Sequence, residues 1–220
     1  MTKKEKVILY LIILINLVMI IGSGYLLIQV YITNNDPYDR LSSHFATIII
    51  SLLPILYIFI KKKDSNLFVV SLGTVYIFLA VFLGASLNFY NLYENINYDK
   101  LIHVLMGYVS ALIGLGILIK TGSHNKLSPW IVILFVFSFA LMISAVWELL
   151  EFSKDMITGS EVQGKRLITI SGKEAIDVGE TMFDILSNFI GALLFSLQYL
   201  FYRKTNKSYL MNFYFETLSK

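Results

Sequence analysis

The stretch WIVILFVFSFALMISAVWELLEF, from Trp130 to Phe152, decides the fold class of this chain. Its first charged side chain is Glu148, so the stretch from Trp130 to Trp147 has no charge, and its only polar residues besides the two tryptophans are Ser138 and Ser144. A helix crosses the hydrocarbon core of a bilayer with roughly 20 apolar residues, and about 17 still suffice. Because no polar face interrupts the stretch, it predicts a transmembrane α-helix rather than a surface helix of a soluble domain.

Five further apolar runs of similar character accompany this stretch. Hydrophobic residues make up 56% of the 220 residues, above the roughly 45–50% of a soluble domain. We therefore expect an all-α, polytopic transmembrane helix bundle of about six spans, forming one membrane domain over residues 1–220. The expected spans are 7–32, 42–61, 67–89, 101–120, 130–152 and 181–202, with a long loop at 153–180.

The basic residues of the connections predict the orientation of the spans. Lys and Arg are retained on the cytoplasmic side of a membrane, and a cytoplasmic N-terminus puts twelve of the 18 there. Both termini are then cytoplasmic and the loop 153–180 is outside. Because the basic residues form small clumps beside apolar runs rather than one stripe, we expect no nucleic-acid binding. The twelve are Lys3, Lys4, Lys6, Lys61, Lys62, Lys63, Lys120, Lys126, Arg203, Lys204, Lys207 and Lys220.

Polar pairs lie at one end of each of the last three spans. The members of each pair are three or four residues apart, a spacing that puts both on one helix face. Because the fifth span runs outward and the fourth and sixth run inward, all three pairs are predicted at the outer face. Asp177, seven residues before Asp184, extends the last pair into the outer loop. The pairs are Asp99 and His103, Glu148 and Glu151, and Asp184 and Asn188.

Two chemistries and one structural role fit these pairs. The chain has no cysteine, so any site depends on oxygen and imidazole groups. His103, Glu148, Glu151 and Asp184 form a ligand set suited to a divalent metal ion. Alternatively, His103 is a general base that Asp99 or Asp184 orients. In the structural alternative, the carboxylates only solvate helix ends and hold the three spans together.

Three smaller patterns make local predictions. Small residues, including Gly107 in the fourth span and Gly191 in the sixth, indicate that these two helices approach closely. The alternating residues 166–171 lie between turn signals and are compatible with a β-hairpin. His124 falls in a connection on the inner side and is expected to be solvated.

The motifs Tyr98-Asp-Lys-Leu-Ile-His103, Trp147-Glu-Leu-Leu-Glu151 and Asp177-Val-Gly-Glu-Thr-Met-Phe-Asp184 resemble those of the VanZ-like and YjdF-like group of small bacterial membrane proteins. The resemblance covers about residues 98–195. It implies a multi-pass protein of the bacterial cytoplasmic membrane, linked in some members to glycopeptide resistance or envelope stress. It implies no particular reaction. The chain departs from the pattern in its longer loop and in Glu180, where an aspartate is expected.

Three functions are therefore open. The first is an enzyme acting at the outer face on a membrane lipid or a lipid-linked cell-envelope molecule, as a hydrolase or transferase. The second is a transporter or a carrier coupled to protons or cations, and the third is a noncatalytic envelope-stress or resistance protein. The residues expected to carry the enzymatic chemistry are Asp99, His103, Glu148, Glu151, Asp177, Asp184 and Asn188.

Overall fold

Among the residues that the computed structural model describes, six helices are long and apolar enough to cross a membrane. The structure describes residues 3–35, 40–61, 66–158, 166–168, 174–176 and 178–218. The prediction of an all-α bundle of about six spans is confirmed. The helices of the spans are α1 (Lys3–Thr33), α2 (Leu41–Lys61), α3 (Leu67–Tyr76) continued by a π-helix (Ile77–Ser86), α5 (Tyr98–Lys120), α6 (Pro129–Thr158) and α7 (Val178–Thr205).

Shorter elements connect the spans or follow them. A four-residue helix α4 (Phe89–Leu92) and a 3₁₀ turn (Glu94–Ile96) precede α5, and another 3₁₀ turn (His124–Lys126) precedes α6. The strands β1 (Arg166–Ile168) and β2 (Glu174–Ile176) pair antiparallel, with Leu167 opposite Ala175. This pairing agrees with the hairpin expected near residues 166–171. A last helix, α8 (Tyr209–Leu218), follows α7.

The chain forms two compact units, residues 1–102 and 103–220. In the first unit, α1 packs against α2 and against the third span. Buried polar side chains join these helices, because a polar group in an apolar interior needs a partner. Asn16 Nδ2 donates to the Thr74 hydroxyl at 3.2 Å, so a buried hydrogen bond joins the first and third spans.

The π-helix is held by two tyrosine hydroxyls. Tyr98 donates to the Leu79 carbonyl at 2.8 Å, and Tyr90 donates to the Ala80 carbonyl at 2.9 Å. The Tyr90 ring also lies where a Cβ on Gly84 would stand, at 2.6 Å. Because π-winding places one residue more in its turns than α-winding does, it changes which residues at the end of this span face inward.

In the second unit, α5 and α7 approach at two glycines. A Cβ on Gly107 would collide with the Asn188 carbonyl, and a Cβ on Gly191 would collide with the Val104 carbonyl. The expected closeness of the fourth and sixth spans is confirmed. Helix α6 packs against α7, and Tyr214 of α8 donates its hydroxyl to the Leu112 carbonyl at 2.6 Å. The C-terminal helix is thus bonded to the middle of α5.

Candidate functional site

His103 of α5 and Asp184 of α7 form a buried pair in the second unit. The imidazole Nε2 lies 3.4 Å from Asp184 Oδ1. His103 is 5% exposed and Asp184 is 3% exposed, although both lie within the first two turns of their helices. The glycine contacts between α5 and α7 explain the closeness, because they allow the two backbones to meet directly beneath the pair.

Asn188 determines which imidazole nitrogen faces Asp184. Its side-chain nitrogen donates to the Asp184 carbonyl at 3.1 Å and lies 2.9 Å from His103 Nδ1. A carbonyl oxygen can only accept, so the atom of Asn188 beside it is the amide nitrogen. His103 Nδ1 therefore accepts a hydrogen bond, and in the neutral ring the proton is on Nε2, toward Asp184.

The amide oxygen of Asn188 has a different environment. Asn188 is fully buried, and its Oδ1 accepts no hydrogen bond from the described residues. An unsatisfied buried acceptor costs about 1–3 kcal/mol. This oxygen lies beside an imidazole and a carboxylate. A hydrogen bond from a bound water or a substrate hydroxyl would remove that cost.

Asp99 lies one helical turn before His103 on α5. Helix α5 is continuous from Tyr98 to Lys120, so the spacing of four places the two on one helix face. The Asp99 carboxylate accepts from Lys100 Nζ at 3.0 Å, and its side chain is 37% exposed. Asp99 is therefore a half-buried acidic group one turn closer to the end of α5 than the buried imidazole.

The two α6 carboxylates predicted for the site have different environments. Glu148 is buried, with 4% exposure. Glu151 accepts a hydrogen bond of 2.7 Å from Trp147 Nε1 at an exposed position. Neither belongs to the group of described residues, Asp99, His103 and Asp184, that each offer a ligand atom for a metal ion. Glu151 is thus bonded to a side chain of its own helix, one turn earlier.

Asp155 is a buried carboxylate that sequence reasoning missed. Only 2% of it is exposed, and it lies seven residues after Glu148, on the same face of α6. The expected span ended at Phe152, so Asp155 was assigned to the loop 153–180, whereas α6 continues to Thr158. The spacing from Glu148 was the signal that could have found it. Asp177, by contrast, lies outside the described residues, and Glu180 is in the first turn of α7.

His124 is buried, which corrects the expectation that it is solvated. Its Nε2 lies 2.9 Å from the Tyr199 hydroxyl, and its ring centroid lies 5.0 Å from that of Phe215. Burial, and to a smaller degree the charge of Arg203, lowers the pKa of His124 below its usual value, while the hydrogen bond with Asn125 opposes this shift. The residues that cover His124 come from α7 and α8, far away in the sequence.

The hydrogen bonds favour acid-base chemistry over metal binding at His103. An imidazole that binds a metal through one nitrogen normally donates the hydrogen on its other nitrogen. Here Nδ1 accepts from Asn188, so Nε2 holds a proton rather than a free lone pair. The pair can therefore hold and transfer a proton, whereas a metal on Nε2 would require Asn188 to give up its bond to Asp184.

One family model matches the chain. It carries the description "Predicted membrane protein (DUF2238)" and matches residues 8–205, which include His103, Asp184 and Asn188. Helix α8 lies beyond the matched residues. No curated protein and no solved structure matches the chain.

Proposed function

The chain belongs to this DUF2238 family of predicted membrane proteins, and from that premise we propose that it is a membrane-embedded acid-base enzyme. Its substrate is a membrane lipid or a lipid-linked molecule, and its reaction is hydrolysis or group transfer at the headgroup. His103 transfers the proton, Asp184 balances the charge of the imidazole, and Asn188 fixes the ring.

The depth of the pair in the membrane carries this proposal. His103 is the sixth residue of α5, and Asp184 is the seventh residue of α7. At 1.5 Å per residue, the pair lies about 8–9 Å from the ends of its helices. A headgroup and its ester or phosphate linkage lie in this zone, whereas transporters commonly bind their substrates near the midplane of the bilayer.

Each residue has a role that its contacts support. The proton on Nε2 can pass to a leaving oxygen, after which Nε2 is a base, and the Asp184 carboxylate stabilises the imidazolium whenever both nitrogens are protonated. The Asn188 amide prevents the ring from turning, and its free Oδ1 can accept from a substrate hydroxyl. Asp99, one turn nearer the helix end, can exchange protons with water.

The location of the site in the cell is inferred from two features, the charges of the connections and the motif resemblance. The Lys and Arg distribution puts the N-terminus inside and this end of α5 and α7 outside. The VanZ-like and YjdF-like resemblance adds the bacterial cytoplasmic membrane. The substrate is then a lipid of the outer leaflet or a lipid-linked precursor of the cell envelope.

A proton-coupled carrier is the second candidate. One observation favours it, namely that His103 and Asp184 are both at least 95% buried. A buried imidazole and carboxylate that share one proton can bind and release it when the helices move, without touching any substrate. In this candidate, Asp99 is the entry point of the proton.

One reconstitution experiment separates these candidates. Purified protein is placed in liposomes of a bacterial lipid extract, and lipids are followed by mass spectrometry while an enclosed dye reports proton flux. The enzyme candidate predicts a time-dependent change in a lipid species that His103→Gln and Asp184→Asn both abolish. His124→Gln is the matched control and should retain the change. Proton flux that requires His103, without lipid conversion, would instead support the carrier.

Two further results would contradict these candidates. If the lipids are unchanged and proton flux is absent while the protein is folded, the pair only holds α5 and α7 together. Bound metal is measured in the same preparation. A stoichiometric divalent ion that is lost in His103→Gln would contradict the acid-base assignment and favour a metal site.

A further inference from the structure

The first unit contains a second imidazole that is bonded to a serine hydroxyl. His44 Nδ1 lies 2.7 Å from Ser86 Oγ, and Ser86 Oγ lies 3.1 Å from Ser23 Oγ. All three residues are fully buried. We propose that Ser86 is a nucleophile and His44 its general base, and that the pair transfers an acyl group from a lipid ester. This site is separate from His103 and does not depend on the function proposed for it.

The hydrogen bonds that join Ser23, Ser86 and His44 suit a nucleophilic role for Ser86. When His44 Nδ1 is unprotonated, the Ser86 hydroxyl donates to it, and the Ser23 hydroxyl can donate to Ser86 Oγ. A base within hydrogen-bond reach of a serine hydroxyl is the arrangement that activates serine in acyl transfer. Ser23 then keeps the Ser86 oxygen oriented while its proton points to the imidazole.

The backbone around Ser86 is unusual. Ser86 is the last residue of the π-helix, and Asn88, two residues later, has a left-handed φ of 67°. The guanidinium of Arg40 donates to the Ser86 carbonyl at 3.5 Å. π-Helical segments are frequent at functional sites, where they aim a side chain in a direction that regular winding does not allow.

An apolar cavity of about 480 Å³ lies on the same helix faces. Its lining includes Leu27, one turn after Ser23 on α1, and Leu41, one turn before His44 on α2. The volume is within the roughly 300–1,000 Å³ of small-molecule sites. The other lining residues are Ile28, Tyr31, Ser42 and Phe45.

The character of this cavity identifies the class of substrate. Five of its six lining residues are aliphatic or aromatic, and Ile28 and Phe45 are each more than half exposed on helices that span the membrane. A ligand therefore enters from the lipid and places an acyl chain there. Ser23 and His44 lie one helical turn further from the helix ends than Leu27 and Leu41, so the carbonyl of such a ligand must extend one turn beyond the cavity to reach Ser86.

The reaction proceeds in two balanced steps. In the first, Ser86 Oγ attacks the ester carbonyl carbon, its proton moves to His44, and the bond to the alcohol oxygen breaks. The alcohol leaves with the proton from His44, and the acyl group remains on Ser86 as an ester. In the second, a water molecule attacks this ester, gives its proton to His44, and releases the fatty acid while the proton returns to Ser86.

A fluorophosphonate carrying an alkyl chain and a fluorophore tests this site, because it reacts covalently with activated serines. The whole protein in native membranes should be labelled. Ser86→Ala should abolish labelling, and His44→Gln should slow it by about 100-fold, as for the loss of a general base. Ser51→Ala, which changes a different buried serine, on α2, should label at the wild-type rate.

A second variant covers the case in which Ser86→Ala does not fold. Ser86→Cys keeps a side chain of similar size, and it adds the only thiol of a chain without cysteine. It should lose fluorophosphonate labelling and react faster with a long-chain maleimide than with a short-chain one. Wild-type protein that is folded and unlabelled, or a Ser86 variant that labels like wild type, would overturn the proposal.

Discussion

The side-chain nitrogen of Asn188 lies 2.9 Å from His103 Nδ1, and through this contact a residue of α7 sets the protonation of an imidazole on α5. The same nitrogen donates to the Asp184 carbonyl one turn earlier on its own helix. One buried amide thus connects the two groups that form the candidate site.

Replacing Asn188 with alanine removes both hydrogen bonds. We expect Asn188→Ala to lower the free energy of unfolding by about 1–3 kcal/mol, because His103 Nδ1 and the Asp184 carbonyl lose their buried donor. Thermal unfolding in detergent measures the change. Asn212→Ala, at an exposed position on α8, is the matched control. Equal stability of the two variants would show that the Asn188 contacts contribute nothing.

Adding a methyl group at Gly107 or Gly191 should separate α5 from α7. Each new Cβ would overlap a backbone carbonyl of the other helix, and overpacking of this kind typically costs about 1–3 kcal/mol. We expect Gly107→Ala and Gly191→Ala to be less stable than wild type. Gly73→Ala is the control, since no atom lies within 4 Å of its added Cβ and alanine favours a helix. If Gly73→Ala lowers the stability of the protein as much as Gly107→Ala and Gly191→Ala do, this packing is contradicted.

His124 should make the second unit less stable in acid. Its pKa is lowered in the folded protein, chiefly by burial, so the unfolded chain binds more protons as the pH falls below about 6.5. This contribution to stability is complete above that pH and is lost below it. We expect the melting temperature of wild type to fall between pH 7.5 and pH 5 by more than that of His124→Gln. Parallel curves for the two proteins would refute the assignment.

The absence of cysteine allows a clean test of orientation. Glu94→Cys lies before α5 on the side predicted to be external, and Thr121→Cys lies after α5 on the side predicted to be internal. Both positions are exposed. A membrane-impermeant maleimide should label Glu94→Cys in intact cells and Thr121→Cys only after permeabilisation. The reverse pattern would move the His103 site to the cytoplasmic face.

The spans and part of the site could be predicted because they depend on local patterns. Long apolar runs determine where helices cross a membrane, and the spacing of four between Asp184 and Asn188 places both on one helix face. Glycine at 107 and at 191 was enough to predict the approach of α5 and α7. These features need no knowledge of distant parts of the chain.

Other features depend on contacts between distant residues and had no local signal. His124 is buried because Tyr199 and Phe215, which follow it by more than 70 residues, pack against it. The π-winding before Ser86 depends on tyrosines at 90 and 98. Asp155 was missed for a different reason, because a span boundary was drawn at the last strongly apolar residue while the helix continued into polar sequence.

The central claim is that His103 is an acid-base group whose Nε2 holds a proton toward Asp184. Nitrogen-15 NMR of histidine-labelled protein in bilayers tests it directly, with His103→Gln assigning the signal. We predict an unprotonated Nδ1 and a protonated Nε2 for His103, with no change when a divalent metal is added. A protonated Nδ1 with a bare Nε2, or an Nε2 signal that shifts on binding the metal, would contradict this account.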